Sequence, residues 1–298
     1  MSETIEINLK NLYNESMENN NKKLKIGVAL GGGGVCGFAH IGFLQVLEEN
    51  GIVPDIISGV SMGAIVGAFY ASGYSLKETE EFAKSIKTSD LIGLNAFRIL
   101  KEGLASHKKI ERFLNKHLKV KTFEELKVPF FAGATDLRTG KSHYFRSGDL
   151  VKALRASTSI PGIFKAVEEN GTAYVDGGMS ENVPFKILRK EGADVVIALD
   201  CVEPYDNKEL PKNSIAALMQ SLLLQQSVAT GAIAKHFEDR YDIYCIDSTE
   251  GTNPQKMDFK MIPKAIESGR QCALKNLDKI KEIIENKQKV LENACIYE

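Results

Sequence analysis

The chain carries almost no excess of charge of either sign. It contains 38 Lys and Arg against 39 Asp and Glu, which leaves a formal net charge of −1 at pH 7. Proteins that bind nucleic acid usually carry a basic patch or stripe, and no dense run of Lys and Arg occurs here. The composition therefore removes nucleic acid from the expected partners.

Cysteine is scarce and shows no pairing pattern. The five cysteines are odd in number, widely separated and never arranged as Cys-x-x-Cys. This pattern excludes a disulfide framework and predicts no metal site. A reducing, intracellular setting fits such cysteine usage, and we expect a cytoplasmic protein.

Long hydrophobic runs are also missing. Residues 1–23 are polar and rich in Asn, without the apolar core of a signal peptide, and we expect a flexible extension there. Of two longer uncharged windows, residues 56–75 are interrupted by four glycines, and Ser214–Ala234 contains three glutamines. We therefore predict no membrane-spanning segment, and we expect Ser214–Ala234 to be a buried or partner-facing helix.

Short apolar strands alternate with helices along the chain. Largely apolar strands in such an alternation predict an α/β fold with three layers, α/β/α, around a mainly parallel sheet. Because no composition break or internal repeat divides residues 24–298, we expect a single domain, with its motifs in about 25–200 and a helical part at 211–293. The clearest patterns are strands at 25–30, 55–58, 129–135, 143–145, 174–175, 193–199 and 241–246, and helices at 40–50, 76–87, 109–118, 149–156 and 263–291. Thr122-Phe123-Glu124-Glu125 is a capping box that predicts a short helix, and Asp149 is the expected cap of the helix that ends at Ala156.

The most informative motif is Gly59-Val60-Ser61-Met62-Gly63, between a predicted strand and a helix of small residues. Gly-x-Ser-x-Gly in this context is typical of a nucleophilic serine on a tight turn. The turn is so sharp that side chains flanking the serine would collide with neighbouring backbone, which requires the two glycines. The N-terminus of the following helix favours negative charge near the serine. An ordinary strand-to-helix turn is the alternative for this motif taken alone.

A second motif, Gly32-Gly33-Gly34-Val35-Cys36-Gly37, follows the first strand and opens a helix. It matches Gly-x-Gly-x-x-Gly, the dinucleotide-binding fingerprint. That use also needs an acidic residue at the end of the second strand, where this chain has Gly59-Val60-Ser61. We therefore favour the other use of exposed backbone amides, an oxyanion hole, and keep dinucleotide binding as the minor alternative.

A serine nucleophile needs a base, and the candidates are five histidines and one aspartate. Only His236 lies late enough in the chain for a Ser…Asp…His order. Asp176, in Tyr174-Val175-Asp176-Gly177-Gly178, ends a predicted strand, where a short carboxylate can meet the serine directly as general base. An Asp-Gly turn is the ordinary interpretation of the same residues. The five histidines are His40, His107, His117, His143 and His236.

These blocks, in this order, resemble the signatures of the patatin-like phospholipases of bacterial type. The resemblance covers about residues 25–200 and is far more specific than any one motif. It is carried by the glycine run, the serine motif, Asp176-Gly177-Gly178, Ala134-Thr135-Asp136-Leu137, Ala156-Ser157-Thr158-Ser159-Ile160-Pro161-Gly162 and Asn182-Val183-Pro184.

The resemblance implies a three-layer α/β fold, no metal or cofactor, and hydrolysis of acyl esters in lipids by a Ser–Asp dyad. It makes Ser61 the nucleophile, Asp176 the general base, and a lipid or other acyl ester the substrate. The amides of Gly32, Gly33 and Gly34 are then the oxyanion donors. The glycines that support the motifs are Gly37, Gly59, Gly63, Gly177 and Gly178.

Cys36 departs from the family pattern, in which Arg or Lys is frequent at this position. Loss of that charge weakens the expectation of a phospholipid headgroup more than that of acyl-ester hydrolysis. Two other functions stay open: a Ser-His-Asp esterase or thioesterase that uses His236, and a regulatory or adaptor protein on the same fold. The apolar segment 91–104 could make a peripheral membrane contact, and its alternative is ordinary core packing. A homo-oligomer also stays open.

Overall fold

One mixed sheet forms the centre of the computed structural model, which describes residues 23–86, 108–201, 211, 214–234, 242–247 and 258–294. Its strands are β1 (Ile26–Leu30), β2 (Ile56–Val60), β3 (Phe130–Asp136), β4 (Ser142–Phe145), β5 (Val167–Glu169), β6 (Thr172–Asp176), β7 (Val195–Asp200) and β8 (Asp242–Ile246). The order is β5-β6-β3-β2-β1-β7-β8, and β4 also pairs with β3. Strands β1, β2, β3, β7 and β8 are parallel, whereas β4 and β6 run antiparallel to β3.

The α-helices within the described residues cover both faces of this sheet. They are α1 (Ala39–Glu49), α2 (Met62–Ala71), α3 (Leu76–Ser85), α4 (Lys108–His117), α5 (Leu150–Ser157), α6 (Phe185–Lys190), α7 (Ser214–Ala234) and α8 (Ile262–Ala294). Alternate residues of β7 enter different apolar clusters: Val195 and Ile197 join the large cluster with α1, α2 and α8, and Val196 and Ala198 join a smaller one with α6. Because both faces of β7 are buried, the strand is apolar throughout. The predicted three-layer α/β fold with a mainly parallel sheet is confirmed.

The long C-terminal helix α8 packs directly on α1 through two glycines. A side chain at Gly42 would collide with the carbonyl of Ile266, and one at Gly269 would collide with the carbonyl of Ala39. The two backbones therefore approach more closely than larger residues permit. This contact fixes the C-terminal helix against the helix that follows the glycine run.

The register of β3 brings two strand ends together. Strand β2 runs parallel to β3 and ends with Val60 opposite Gly133. Strand β6 runs antiparallel to β3 and ends with Asp176 opposite Ala134. Because Gly133 and Ala134 are adjacent, the carboxyl ends of β2 and β6 meet at one point of the sheet. This meeting point positions the candidate site.

Several local predictions are confirmed with small shifts of their bounds. The Thr122–Glu125 capping box is present around the 3₁₀ turn Phe123–Glu125, and the Asp149 side chain accepts a hydrogen bond from the amide of Lys152 at 2.9 Å. The sequence patterns did not predict the short elements β5 and α6.

Several expectations concern residues outside the described ranges. These residues are 1–22 of the expected extension, the segment 91–104, His107 and His236. No helix in the described part of the chain is both long and apolar enough to cross a membrane.

Candidate active site

Ser61 lies in the turn between β2 and α2 with an unusual backbone conformation. Its φ is 53° and its ψ is −121°, values that L-residues rarely adopt. Holding a non-glycine residue in such a region costs of order 1–3 kcal/mol, so surrounding contacts must impose it. In this conformation Ser61 lies between the end of the buried strand β2 and the N-terminus of α2.

The flanking glycines allow this turn because other backbone passes within contact distance. A side chain at Gly59 would lie 2.5 Å from the carbonyl oxygen of Gly63, and one at Gly63 would lie 2.5 Å from that of Gly31. Any larger residue would push α2 away from β1 or β2. The two glycines thus have the steric role that the sequence motif predicts.

One segment, residues 157–159, holds the backbones of both Ser61 and Asp176. The amide of Ser61 donates a hydrogen bond to the hydroxyl oxygen of Ser157 at 2.9 Å. The amide of Asp176 donates to the carbonyl of Ser159 at 3.0 Å. In the sequence, this segment stands out only as part of the motif Ala156–Gly162, and no local pattern predicts its contacts. Its position beside both residues is visible only in the tertiary structure.

Asp176 is almost fully buried, with 4% of its surface exposed. Its Oδ1 accepts a hydrogen bond from the amide of Gly178 at 2.9 Å. Burial raises the pKa of its carboxyl group to about 6, because the charged form loses hydration, while hydrogen bonds from the Ser61 hydroxyl and the Gly178 amide act in the opposite direction. A carboxylate with this pKa can be ionised at neutral pH and still accept a proton readily.

The glycine run lies beside Ser61, but its first amide is already engaged. The amide of Gly32 donates to the carbonyl of Asn182 at 3.2 Å, and a side chain at Gly32 would lie 3.3 Å from Cβ of Ser61. Within the described residues, the amides of Gly33 and Gly34 have no hydrogen-bond acceptor. Of the three amides expected to be oxyanion donors, that of Gly32 is therefore already bonded to another part of the protein.

Asn182 connects the glycine run to the end of β7. Its side-chain nitrogen donates to Oδ1 of Asp200 at 3.3 Å and lies 3.5 Å from the carbonyl oxygen of Gly32. Asp200 is itself buried and accepts a hydrogen bond from the Tyr244 hydroxyl at 2.7 Å. Asn182 thus contacts both the amide and the carbonyl side of Gly32. In the sequence, Asn182 stands out only as part of the motif Asn182-Val183-Pro184.

The remaining motif glycines allow close packing around the site. A side chain at Gly37 would lie 2.6 Å from Cβ of Met62, the residue after the serine, and one at Gly177 would lie 2.6 Å from the Gly133 carbonyl. Gly178 leaves no room for a side chain beside Gln226 of α7. These contacts join the glycine run, the serine turn and the aspartate turn into one packed unit.

The described histidines have other surroundings. His40 is fully buried, its Nε2 donates to the Gly31 carbonyl at 2.7 Å, and burial lowers its pKa to about 4. His117 packs against Phe82 and Phe113, and His143 packs against Phe145 and Tyr174. Cys36, where the family pattern has a basic residue, is buried in the large core cluster. In the described ranges, no group of three or more His, Cys, Asp or Glu is placed to hold a metal ion.

An apolar cavity adjoins Ser61. Its volume is about 90 Å³. Gly34 and Ser61 line it at the amino end of α2, and Phe69 lines it at the last turn of that helix. Most of the other lining side chains are apolar and come from α3, α4 and the segment after α5. The cavity can accept a hydrocarbon chain whose polar end lies at Ser61.

A family model described as Patatin-like phospholipase matches residues 28–189, more than half of the chain. An uncharacterized NTE family protein of Mycobacterium tuberculosis is 37% identical over 175 residues, which are 59% of this chain and 48% of that protein. Lysophospholipase NTE1 of Cryptococcus neoformans var. neoformans is 35% identical over 187 residues, 59% of this chain and 11% of that protein. The chain thus spans about half the length of the bacterial relative and a small part of the fungal one.

The described fold is also similar to the crystal structure of VipD from Legionella pneumophila. The TM-score is 0.50 at 14% sequence identity, and the match covers 86% of this chain and 67% of that one. At this level of identity the likeness concerns the fold alone.

Proposed function

Because this chain belongs to the patatin-like phospholipase family, we propose that it is a serine acyl hydrolase that acts on lipid esters. Ser61 is the nucleophile and Asp176 is the general base. The observation that carries the proposal is the position of the Ser61 hydroxyl, which is close enough to the buried Asp176 carboxylate to lower its pKa and which lines an apolar cavity. No histidine is needed between the two side chains.

In the proposed reaction, Ser61 Oγ attacks the ester carbonyl carbon while its proton moves to the Asp176 carboxylate. The tetrahedral intermediate then collapses, the bond to the leaving alcohol breaks, and Asp176 returns the proton to the alcohol oxygen. Water then attacks the acyl-enzyme while Asp176 accepts its proton. The bond between the acyl carbon and Ser61 Oγ breaks, Asp176 returns the proton to Oγ, and the fatty acid leaves. The burial that raises the pKa of Asp176 makes it a stronger base than an exposed aspartate.

The negative charge of the intermediate needs donors that are fixed before reaction. The amides of Gly33 and Gly34 fit this need, since they have no acceptor among the described residues and Gly34 lines the cavity together with Ser61. One such donor typically contributes about 2.7–4 kcal/mol of transition-state stabilisation. Gly32 contributes by holding the run in place through Asn182.

The cavity supports a substrate with a hydrocarbon chain. Its nearly apolar lining would bind methylene groups at about 0.8 kcal/mol each, and offers few partners for a polar chain. The fungal relative is a lysophospholipase by name. We therefore expect single-chain acyl esters, such as lysophospholipids, among the substrates.

The test compares wild type with Ser61→Ala and Asp176→Asn, using p-nitrophenyl butyrate and lysophosphatidylcholine. We expect each substitution to lower kcat by about 10⁴-fold, as removal of a catalytic side chain does in other serine hydrolases. Ser72→Ala and Asp149→Asn are the matched controls, because both residues lie outside the site, and they should keep full activity. Hydrolysis by the Ser61→Ala protein at the wild-type rate would refute the proposal.

Helix α7 supports a peripheral contact with lipid surfaces, in addition to the acyl hydrolase activity. It has no charged residue, it reaches the aspartate turn through Gln226 and Gly178, and it exposes 49% of Leu218, 47% of Leu224 and 66% of Val228. An uncharged surface with exposed apolar side chains favours a neutral lipid interface over a charged partner.

Co-sedimentation with phosphatidylcholine vesicles tests this contact. Leu224→Glu and Val228→Glu should reduce vesicle binding, because each places a charge in the apolar face. Leu274→Glu is the matched control, since Leu274 is 45% exposed on α8. Equal vesicle binding by all three variants and wild type would reject the role of α7.

A further inference from the structure

The apolar cavity at Ser61 ends at an aromatic wall between α3 and α4. Phe82 of α3 packs against Phe69 and Phe113, with ring centroids 5.3 Å apart in both pairs. His117 lies on the other side of these rings, 4.5 Å from Phe82 and 4.9 Å from Phe113. The wall is therefore a packed stack rather than a single mobile side chain.

The same wall also borders a second pocket on its outer side. Phe82, Ile86 and Phe113 line both the apolar cavity and this outer pocket. The other described residues that line the outer pocket are polar or charged, namely Ser85, Lys109, Arg112, Lys116 and His117. An apolar space and a partly polar one are thus separated by about one layer of aromatic side chains.

The length of the cavity follows from helix α2, which lines it from its first turn to its last. Met62, Ile65, Val66 and Phe69 face the cavity, at the spacing of one helical face. The seven-residue step from Met62 to Phe69 corresponds to about 10 Å. An extended chain advances about 1.2 Å per bond, so this distance holds an acyl chain of about eight to ten carbons.

We propose that Phe82 and Phe113 set the acyl-chain length of this enzyme, with medium-chain esters as the preferred class. The proposal rests on the proposed function for the position of the ester at Ser61. A chain longer than about ten carbons meets the aromatic wall, and beyond the wall it would find the charged groups of the outer pocket. Each methylene group that is buried before the wall makes binding more favourable, and methylene groups beyond the wall add nothing.

The first experiment measures kcat/KM for p-nitrophenyl esters from butyrate to palmitate. For wild type we expect a rise of about fourfold per methylene up to octanoate or decanoate, followed by a fall. In Phe82→Leu and Phe113→Leu the fall should move to laurate or beyond, because the smaller side chain leaves apolar space in which further methylene groups can be buried. Phe113→Trp should move it towards shorter chains. Each profile is expressed relative to the activity of the same variant on butyrate.

Phe123→Leu is the matched control for loss of a ring. Phe123 is buried in the core, stacks on Phe130 at 6.0 Å and does not line the cavity. Its chain-length profile should equal that of wild type. The proposal is overturned if Phe82→Leu and Phe113→Leu keep the wild-type profile, or if Phe123→Leu shifts it equally.

A binding experiment separates this proposal from the proposed reaction. The Ser61→Ala protein is loaded with anilinonaphthalene sulfonate, and fatty acids from hexanoate to palmitate compete for the apolar cavity. Displacement should strengthen with chain length up to about ten carbons and then level off, and Phe113→Leu in the same background should extend the rise. If displacement from the Ser61→Ala protein keeps strengthening with chain length beyond about ten carbons, the proposed role of Phe82 and Phe113 is overturned. If the Ser61→Ala protein still hydrolysed esters, the proposed reaction would be refuted. The dependence of fatty-acid binding on chain length would still test the role of the wall, because it does not require catalysis.

Discussion

The backbone amide of Ser61 donates a hydrogen bond to the side-chain oxygen of Ser157, with 2.9 Å between the two atoms. The two residues are 96 positions apart in the chain. This bond satisfies a donor that the strained turn at Ser61 leaves without a helical partner. Ser157 therefore holds the candidate nucleophile in its unusual backbone conformation.

Ser157→Ala should lower kcat for p-nitrophenyl butyrate by about tenfold to a hundredfold, because a small displacement of a nucleophile is costly. KM should change little, since Ser157 does not line the cavity. Ser159→Ala is the control, because it keeps the carbonyl that accepts from the Asp176 amide and removes a hydroxyl that donates to the Arg155 carbonyl. Equal kcat values for the two variants would contradict the role of Ser157.

Replacement of Ser61 by glycine should stabilise the protein relative to replacement by alanine. Glycine adopts a φ of 53° without steric cost, whereas alanine retains the strain. We expect Ser61→Gly to exceed Ser61→Ala by about 1 kcal/mol in the free energy of unfolding, measured with urea. At Ser72, where φ is −77°, the same pair of substitutions should give the opposite order. A less stable Gly variant at Ser61 would show that the turn is not strained in solution.

The pH dependence of activity should follow Asp176. Its carboxyl must be ionised to accept the serine proton, and its pKa is about 6. We therefore expect kcat/KM for p-nitrophenyl butyrate to rise with pH through about 6 and to level off above about 7. A histidine general base would give a profile that a His→Ala substitution abolishes. The same profile in His40→Ala and His143→Ala variants that still fold would support the aspartate.

The contribution of Asp176 to the free energy of unfolding should fall as pH rises, whereas activity should increase. A carboxyl with a pKa that is higher in the folded than in the unfolded state favours folding at low pH, and this contribution is lost as pH rises from about 4 through about 6. The ionised buried group then costs up to about 3 kcal/mol. Asp176→Asn should therefore be more stable than wild type at about pH 8, with a gain that shrinks towards about pH 4.

Thermal unfolding at both pH values checks this prediction. Asp149→Asn is the control, since Asp149 is an exposed helix cap and Asn caps a helix about equally well. Its stability should match that of wild type at both pH values. A loss of stability in Asp176→Asn at the higher pH would mean that burial does not penalise the carboxylate.

Asn182→Ala should lower kcat without a matching change in KM, because Asn182 holds Gly32 rather than the substrate. The substitution removes the side-chain contacts to the Gly32 carbonyl and to Asp200, and it leaves the backbone bond to the Gly32 amide. We expect a loss of about tenfold in kcat, since the neighbouring oxyanion donors become less well fixed. Asn276→Ala on α8, whose side chain bonds only within its own helix, should have no effect on kcat.

Local sequence patterns predicted most of the elements that carry the site. Gly-x-Ser-x-Gly indicated the turn, because only glycine permits the backbone approach at Gly59 and Gly63. The capping residues Thr122 and Asp149 marked helix starts through hydrogen bonds that span three residues. These features depend on neighbours in the chain, and so the sequence alone determined them, together with the α/β layering and the family.

Only the tertiary structure decided which of these elements meet. The Ser61–Asp176 approach depends on β2 and β6 ending at adjacent residues of β3, and no local pattern encodes that register. Three other contacts also depend on the tertiary structure. They are the bond from the Gly32 amide to Asn182, the bond from the Ser61 amide to Ser157, and the packing of Phe82 against Phe113. Each joins residues far apart in sequence, and the packing of strands and helices around one core creates the contact.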